Sequence, residues 1–213
     1  MNYGTLKTIC LQKLFAIEGQ TAEENDNTRS YLSTLPAAVN EAMALLTTGT
    51  AGGRLPPRSI EIPVHPHQTG PDRHREWTVR DLRELDCRFY RMVPGQLFFR
   101  RSQQQKPYRR MGCCWLEGDS RLWLACEEPG IWTVYYYVYP KWVSAETQDG
   151  EELDISPEMA SLVPLYVASQ LYKDDDLSVA TQYRNEFEVG RAMLLTPETG
   201  ESGEEFSSVS GWI

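Results

Sequence analysis

The hydrophobic period of the chain changes twice, and these two changes constrain its fold more than any other feature. Residues 1–50 repeat apolar side chains every three or four positions, as amphipathic helices do. Glycine and proline in GTAGGRLPP then end the helical pattern, and short alternating segments follow as far as residue 143. Residues 144–195 return to the helical period. This order predicts an α+β protein.

Two helices are predicted before the alternating region. The first covers Tyr3–Ile17, where apolar residues lie on one side and Gly19 follows as a stop. The second covers Arg29–Thr48, and we expect Pro36 to interrupt it, which leaves a main helix at Ala37–Thr48.

Two more helices are predicted after it. Ser156 is suited to an N-cap and Pro157 to a first helical residue, because proline has no N–H to leave unbonded there. The helix that follows, MASLVPLYVASQLY, is apolar on nearly every side, which predicts a central position, covered by neighbours or by another subunit. Asp176 can cap the last helix, Leu177–Leu195, which carries an apolar stripe with charges opposite.

The alternating region predicts antiparallel strands joined by hairpin turns. WTVRDLREL is predicted to be a helical turn, and the turn sequences are VPG, SQQQKP, EGDS and EEPG. The predicted strands are RSIEIPV, CRFYRMV, QLFFRR, YRRMGCCWL, RLWLAC and GIWTVYYYVYP. Neither pair of helices alone can cover its apolar faces, so we expect residues 1–50 and 144–195 to form one helical bundle or body. Residues 51–143 would be a β-sheet or sandwich insertion domain, and residues 196–213 a flexible, extended C-terminal arm.

No catalytic or metal-binding motif occurs in the sequence. GxSxG, HExxH, GxGxxG and GxxxxGK[ST] are all absent. The histidines His65, His67 and His74 belong to a proline-containing loop without acidic or cysteine partners at ligand spacing, which predicts surface residues. The five cysteines have no zinc-site spacing and favour buried, reduced thiols. We therefore expect no enzymatic activity, no metal and no cofactor.

Charge is distributed unevenly along the chain. The overall net charge is −9, but residues 51–143 contain fifteen Lys and Arg against ten Asp and Glu, while residues 144–213 contain three against fifteen. No run of eighteen apolar residues occurs, which predicts a soluble protein made inside the cell, with no membrane partner.

One basic cluster, RRSQQQKPYRR, is interleaved with aromatic residues. It could suit nucleic acid, but arginines on the outer side of a hairpin are also a common solvated edge. The charge distribution favours a contact to an acidic region of another copy. The predicted partner-binding cations are Arg100, Arg101, Arg109 and Arg110.

GIWTVYYYVYPKWV places six aromatic rings in fourteen residues. As a strand it puts Trp132, Val134, Tyr136 and Val138 on one side, which is the more apolar and should face the core. The opposite side carries Tyr135, Tyr137 and Tyr139, whose rings can pack while their hydroxyls stay in water. We predict these three tyrosines as a subunit contact.

The residues at both ends of the chain resemble head–tail connector (adaptor) proteins of tailed bacteriophages. The likeness lies in YGTLKTICLQKL and LPAAVNEAMALL near the start, and in an aromatic strand ending in YP, the helix LVPLYVASQLY, an acidic elbow and the helix ATQYRNEFE near the end. It covers about half of the chain, Tyr3–Thr48 and Thr133–Leu195, and does not extend over the β region.

The resemblance implies a structural virion protein without catalysis. Such adaptors form rings, often of twelve copies, under the portal protein at the head–tail junction, extend the DNA channel and seat the next tail, nozzle or head-completion protein. Assembly would take place in the host cytoplasm, and genomic DNA would pass without sequence-specific contact. Phe206, Val209, Trp212 and Ile213 follow an acidic stretch, a composition that suits a docking arm.

The aromatic content of the β region leaves an alternative function open. The chain would then be a β-rich binding module, for example a carbohydrate- or receptor-binding tail or baseplate protein. Its stacking platform would consist of Trp115, Trp123, Trp132 and Tyr135.

Overall fold

The computed structural model describes residues 1–15, 26–48, 55–65, 77–110 and 112–195. The predicted arm with Phe206, Val209, Trp212 and Ile213, and the histidines His67 and His74, lie outside the described residues. Within the described ranges the chain forms five helices and two three-stranded antiparallel sheets, and the prediction of an α+β protein is confirmed.

The elements follow one another in the order that the hydrophobic period predicts. The helices are α1 (Tyr3–Phe15), α2 (Asp26–Thr47), α3 (Leu82–Leu85), α4 (Pro157–Leu171) and α5 (Leu177–Leu195). The strands are β1 (Arg58–Val64), β2 (Trp77–Asp81), β3 (Phe89–Arg100), β4 (Cys114–Glu117), β5 (Arg121–Ala125) and β6 (Gly130–Val138). None of the helices in these ranges has the length and apolar character needed to cross a membrane.

The strands form two sheets that share one apolar core. The first sheet has the order β1-β6-β3 and the second β2-β5-β4, and every neighbouring pair is antiparallel. The central position of β6 explains why alternate residues along it are fully buried. The core includes Phe99, Leu122, Leu124, Trp132 and Val134.

The predicted hairpin turn at VPG is wrong, because strand β3 continues through it. The strand runs through this sequence from Phe89 to Arg100, and its pairing with β6 shifts between Met92 and Leu97. Gly95 adopts φ 69° at this point. A bulge therefore accommodates the proline and glycine without ending the strand.

Two other predictions in the β region are partly wrong. WTVRDLREL divides into β2 and α3, because Trp77–Asp81 pairs with β5 before Asp81 caps the helix, its carboxylate accepting the N–H of Arg83 at 2.9 Å. The only strand in YRRMGCCWL is β4, Cys114–Glu117, although Tyr108 also exchanges two backbone hydrogen bonds with Phe99 of β3, at 2.8 and 2.9 Å. Gly112, with φ 70°, interrupts the extended run before β4.

Helix α4 lies at the centre of the helices, as its apolar sequence predicts. It packs against α1, α2 and α5, and its buried residues join side chains from all three in one core. Members of this core with no more than 2% exposure include Leu6, Val39, Val163, Tyr166 and Phe187. The apolar surface of α4 is thus covered to a large extent inside the chain itself.

Pro36 does not interrupt α2, so the predicted break is wrong. A proline inside a helix removes one backbone hydrogen bond and costs about 3 kcal/mol. Leu35, Val39 and Met43 nevertheless continue a stripe with 0% exposure that packs in the helical core. Burial of this stripe offsets the cost of the proline.

The two predicted helix caps are confirmed. The hydroxyl of Ser156 accepts the N–H of Met159 at 3.4 Å, and Pro157 is the first residue of α4. The carboxylate of Asp176 accepts the N–H groups of Ser178 at 2.9 Å and Val179 at 3.2 Å at the start of α5. Asp176 therefore serves helix formation.

Several contacts join the helical core to the β core. Ile155 packs against both of them. The guanidinium of Arg88 on the β side donates to the carboxylate of Asp154, and its Nε donates to the carbonyl of Tyr139 at 2.8 Å. These contacts place the start of β3 against the segment that leads into α4.

Candidate interaction surfaces

The two sides of β6 have the character that the sequence predicts. Trp132, Val134, Tyr136 and Val138 are at most 5% exposed, and they belong to the β core. On the other side the tyrosines are only partly buried. This outer side of the β1-β6-β3 sheet is the first candidate for binding a partner.

A row of aromatic rings and arginines covers that outer side. The guanidinium carbon of Arg91 lies 5.5 Å from the ring centroids of both Tyr90 and Tyr137. Tyr90 also contacts Tyr139, with ring centroids 5.1 Å apart. The bulge in β3 brings Tyr90 next to Arg91 on this side, since the pairing register shifts between Phe89 and Arg91.

The row continues through a second arginine. Tyr135 and Phe98 meet edge to face at 5.9 Å, and the guanidinium of Arg109 lies 5.8 Å from the Phe98 ring. We call this set the arginine–aromatic face; its members are Tyr90, Arg91, Phe98, Arg109, Tyr135, Tyr137 and Tyr139. The sequence predicted Tyr135, Tyr137, Tyr139 and Arg109 as contact residues. It missed the residues of β3 on this face, which are Tyr90, Arg91 and Phe98.

The other predicted cations are in ion pairs within the chain. Arg100 donates to Glu61 at 2.6 Å, and Arg101 donates to Glu128 at 2.7 Å. Arg110 lies 3.4 Å from Glu127 and 2.8 Å from Glu128. Much of the positive charge of this segment is therefore balanced locally.

A second candidate surface is formed by tryptophans on the β2-β5-β4 sheet. Trp115 and Trp123 are directly opposite in the β4–β5 register, and their rings stack with centroids 5.1 Å apart and planes at 19°. Trp77 meets Trp115 at 6.3 Å and 63°. We call Trp77, Trp115 and Trp123 the tryptophan face.

The tryptophan face differs from the platform that the sequence predicted. Trp115 and Trp123 do come together, but Trp132 has 0% exposure in the β core and Tyr135 contacts Phe98 on the other sheet. Trp77 takes part instead. The indole N–H of Trp123 donates to Glu117 at 2.9 Å, which fixes the orientation of the stacked pair.

Helix α5 presents the third candidate surface. At about 100° per residue, positions two and six after the buried Phe187 lie on the opposite side of the helix. These positions are Val189 and Met193, which are 56% and 72% exposed. The outward face of α5 carries one charged residue, Glu186, whose carboxylate accepts a hydrogen bond from the side-chain amide of Gln182 at 3.2 Å. Its other exposed members are Ser178, Thr181, Gln182, Asn185, Val189, Ala192 and Met193.

Of the charges predicted opposite the apolar stripe of α5, all except Glu186 flank the stripe. Arg184 and Arg191 both pair with Glu188, at 2.6 and 3.4 Å. Arg184 also lies 5.0 Å from the ring of Tyr166 on α4. These charges flank the buried stripe because their aliphatic stems can cover apolar surface at its margin.

Nothing in the described residues forms a metal site: no group of three or more His, Cys, Asp or Glu side chains within these ranges could hold an ion. His65, the one described histidine, is exposed. Cys10 is fully buried, and burial raises the pKa of its thiol to about 12, which keeps it protonated and unreactive at neutral pH. Cys87 is exposed, so the prediction of buried thiols is wrong at that position.

No protein-family model matches the chain, and no curated protein matches it at a significant level.

Proposed function

We propose that the chain is a head–tail adaptor of a tailed bacteriophage, which forms a ring under the portal protein and has no catalytic role. The outward face of α5 carries this proposal. A solvated helix usually presents many charged residues to water, whereas this face has one, Glu186 at its edge, and exposes the apolar Val189 and Met193. A neighbouring subunit would bury this face.

The partners follow from the resemblance of the chain ends to such adaptors. They are the portal protein, neighbouring copies in a ring of twelve, and the downstream tail, nozzle or head-completion protein at the head–tail junction of the virion. Genomic DNA would pass through the ring without sequence-specific contact. Residues 196–213, with Phe206, Val209, Trp212 and Ile213, would dock on a neighbouring ring or subunit as the C-terminal arm.

The arrangement of the helices agrees with a helical body that carries a β insertion. Helices from both ends of the chain contribute to one core, while the two sheets build another. The apolar character of α4, in contrast, gives no support to ring formation, since α1, α2 and α5 pack against this helix.

A mass and symmetry measurement of the full-length protein mixed with its portal protein tests the proposal. We expect a ring bound to the portal in electron micrographs. The double variant V189E/M193E should lose this ring, because two carboxylates would be buried in the contact. The control A145E/Q148E adds the same charge at exposed loop positions and should keep it. A monomer that ignores the portal would rule out the adaptor function.

The tryptophan face favours one second candidate function, glycan binding by a β-rich tail or baseplate module. The ring of Trp115 is 52% exposed and already oriented by stacking on Trp123. Glu117 and Arg121, 46% and 58% exposed, form an ion pair at 3.5 Å beside it, and their remaining donors and acceptors face solvent. Sugar rings bind to such combinations of an aromatic surface and flanking polar groups.

A glycan array distinguishes this candidate from the adaptor. Trp115→Ala should abolish binding if the tryptophan face is the site. Trp142→Ala is the matched control, because Trp142 is similarly exposed, at 46%, but contacts Tyr139 instead of the tryptophan face. Equal signals from both variants, or no binding by the unmodified chain, would exclude the glycan function.

A further inference from the structure

Arg91 is held in place by aromatic rings but has no acidic partner in the described part of the chain. Its guanidinium lies 5.5 Å from the rings of Tyr90 and Tyr137, and its Nε is buried with no hydrogen-bond partner. Arg88 and Arg100 on the same stretch of chain each pair with a carboxylate. Arg91 thus presents an oriented fork of donors that can bind an anion.

Arg109 is a second cation of this kind on the same face. It is exposed, lies over the ring of Phe98, and forms no ion pair with any described residue. Between the two arginines lie the rings of Tyr135 and Tyr137, which are partly buried. A ligand that fits this face has at least two negative groups and an apolar or aromatic side chain.

The C-terminal segment of the chain has this composition. Residues 196–213 contain four glutamates and no lysine or arginine, and Glu204 and Glu205 directly precede Phe206. Eighteen residues can extend over about 60 Å. A segment of this length can leave its own helix α5 and reach another molecule.

We propose that the arginine–aromatic face binds residues 196–213 of a second copy of this chain. Arg91 and Arg109 bond to glutamates of the segment, and the tyrosines pack against its Phe206 or Trp212. The proposal deepens the proposed function, on whose self-association it rests, by naming the surface that receives the arm.

The charges around the face favour a peptide over a nucleic acid. A nucleic acid needs cations along the whole path of its backbone. Three neighbouring arginines are already neutralised by Glu61, Glu127 and Glu128, so the unpaired cations do not form a continuous path. A short acidic peptide needs only the two arginines that have no carboxylate.

The binding of a labelled peptide measures this contact directly. The probe is a fluorescent peptide of residues 196–213, and the receptor is the full-length chain with its own glutamates 198, 201, 204 and 205 changed to glutamine to prevent competition. We expect saturable binding by fluorescence anisotropy. Arg91→Met in the receptor should weaken it about tenfold, and Arg91→Lys less, because lysine keeps the charge but loses the fork.

Arg80→Met is the matched control, because Arg80 is exposed and its guanidinium contacts only the carbonyl of Val79 among the described residues. This variant should bind the peptide like the parent receptor. If Arg91→Met fails to fold, a photoreactive benzoylphenylalanine at Tyr137 should cross-link to a peptide containing Trp212 in a mixture of isotopically light and heavy chains.

The outcomes separate this inference from the proposed function. Absence of peptide binding at about 1 mM, or binding that ignores Arg91, overturns the inference even if the protein forms rings on the portal. If a single-stranded oligonucleotide displaces the peptide and its own binding requires Arg91, the inference is also wrong and the face binds nucleic acid. Peptide binding without any portal complex supports the inference and counts against the adaptor.

Discussion

Asn40 on α2 holds the backbone of Val143, 103 residues away, through two hydrogen bonds. Its Nδ2 donates to the carbonyl oxygen of Val143 and its Oδ1 accepts the N–H of the same residue, both at 2.8 Å. Val143 is 8% exposed and lies between β6 and α4. The pair therefore fastens the return of the chain from the β sheets to the helical core.

Replacement of Asn40 should be costly. Asn40→Ala leaves both backbone groups of Val143 without their partner in a buried place, and we expect a loss of about 2 kcal/mol or more in the free energy of unfolding. Urea denaturation measures this loss. Asn185→Ala, at an exposed helical position, is the control and should change stability by less than about 0.5 kcal/mol. Equal effects of the two variants would contradict the role of Asn40.

Two tryptophans predicted for one platform should behave differently when truncated. Trp132 has 0% exposure and donates its indole N–H to the carbonyl of Ala125 at 3.4 Å, whereas Trp115 is 52% exposed. Trp132→Ala should cost about 3–5 kcal/mol through the cavity it leaves. Trp115→Ala should cost about 1 kcal/mol, the worth of its stacking contacts. Thermal and urea unfolding provide both values, and a small effect at Trp132 would be inconsistent with this core.

The sequence predicts local features of this fold better than contacts between distant segments. Alternation along β6 identifies Trp132 and Tyr136 as inward residues because side-chain direction in a strand depends only on position parity. The neighbours of Trp115 could not be predicted in this way. They depend on the register of β4 and β5, and on the pairing of β2 with β5, which brings in Trp77.

The arginine–aromatic face shows the same limit. The alternation of side chains along β6 identified Tyr135 and Tyr137 as outward residues. Arg91 reaches them only because β3 bulges and continues where a turn was expected. Ion pairs such as that of Arg101 with Glu128 likewise join segments whose distance the sequence does not reveal.

Asp86 should make the stability of the β core depend on pH. Burial raises the pKa of its carboxyl, but the N–H of Arg88 at 2.8 Å, the hydroxyl of Tyr136 at 3.0 Å and the guanidinium of Arg58 outweigh this effect, so the pKa lies below its usual value. With the lower pKa in the folded state, this stabilisation is complete above the unfolded pKa. The stabilisation is lost as the pH falls through the pKa that Asp86 has in the folded state.

Asp86→Asn should therefore lower stability at pH 7 by about 1–3 kcal/mol and much less at about pH 2, where the parent has lost the same contribution. Chemical denaturation at both pH values measures the two differences. Asp119→Asn, whose side chain is 88% exposed, is the control and should have little effect at either pH. A difference for Asp86→Asn that does not change with pH would refute the electrostatic role.

Gly130 at the start of β6 should tolerate no side chain. A Cβ at this position would lie 2.2 and 2.5 Å from ring atoms of Phe99 and 2.8 Å from the carbonyl oxygen of Arg100. Phe99 has 0% exposure and packs against Trp132, so its ring has no space into which to retreat. Gly130→Ala should destabilise the protein by about 1–3 kcal/mol through overpacking, whereas Gly150→Ala, with nothing within 4 Å of the new methyl group, should not. The melting temperatures of the two variants test this packing. Equal values would mean that β6 and β3 do not approach as closely as the contact between Gly130 and Phe99 requires.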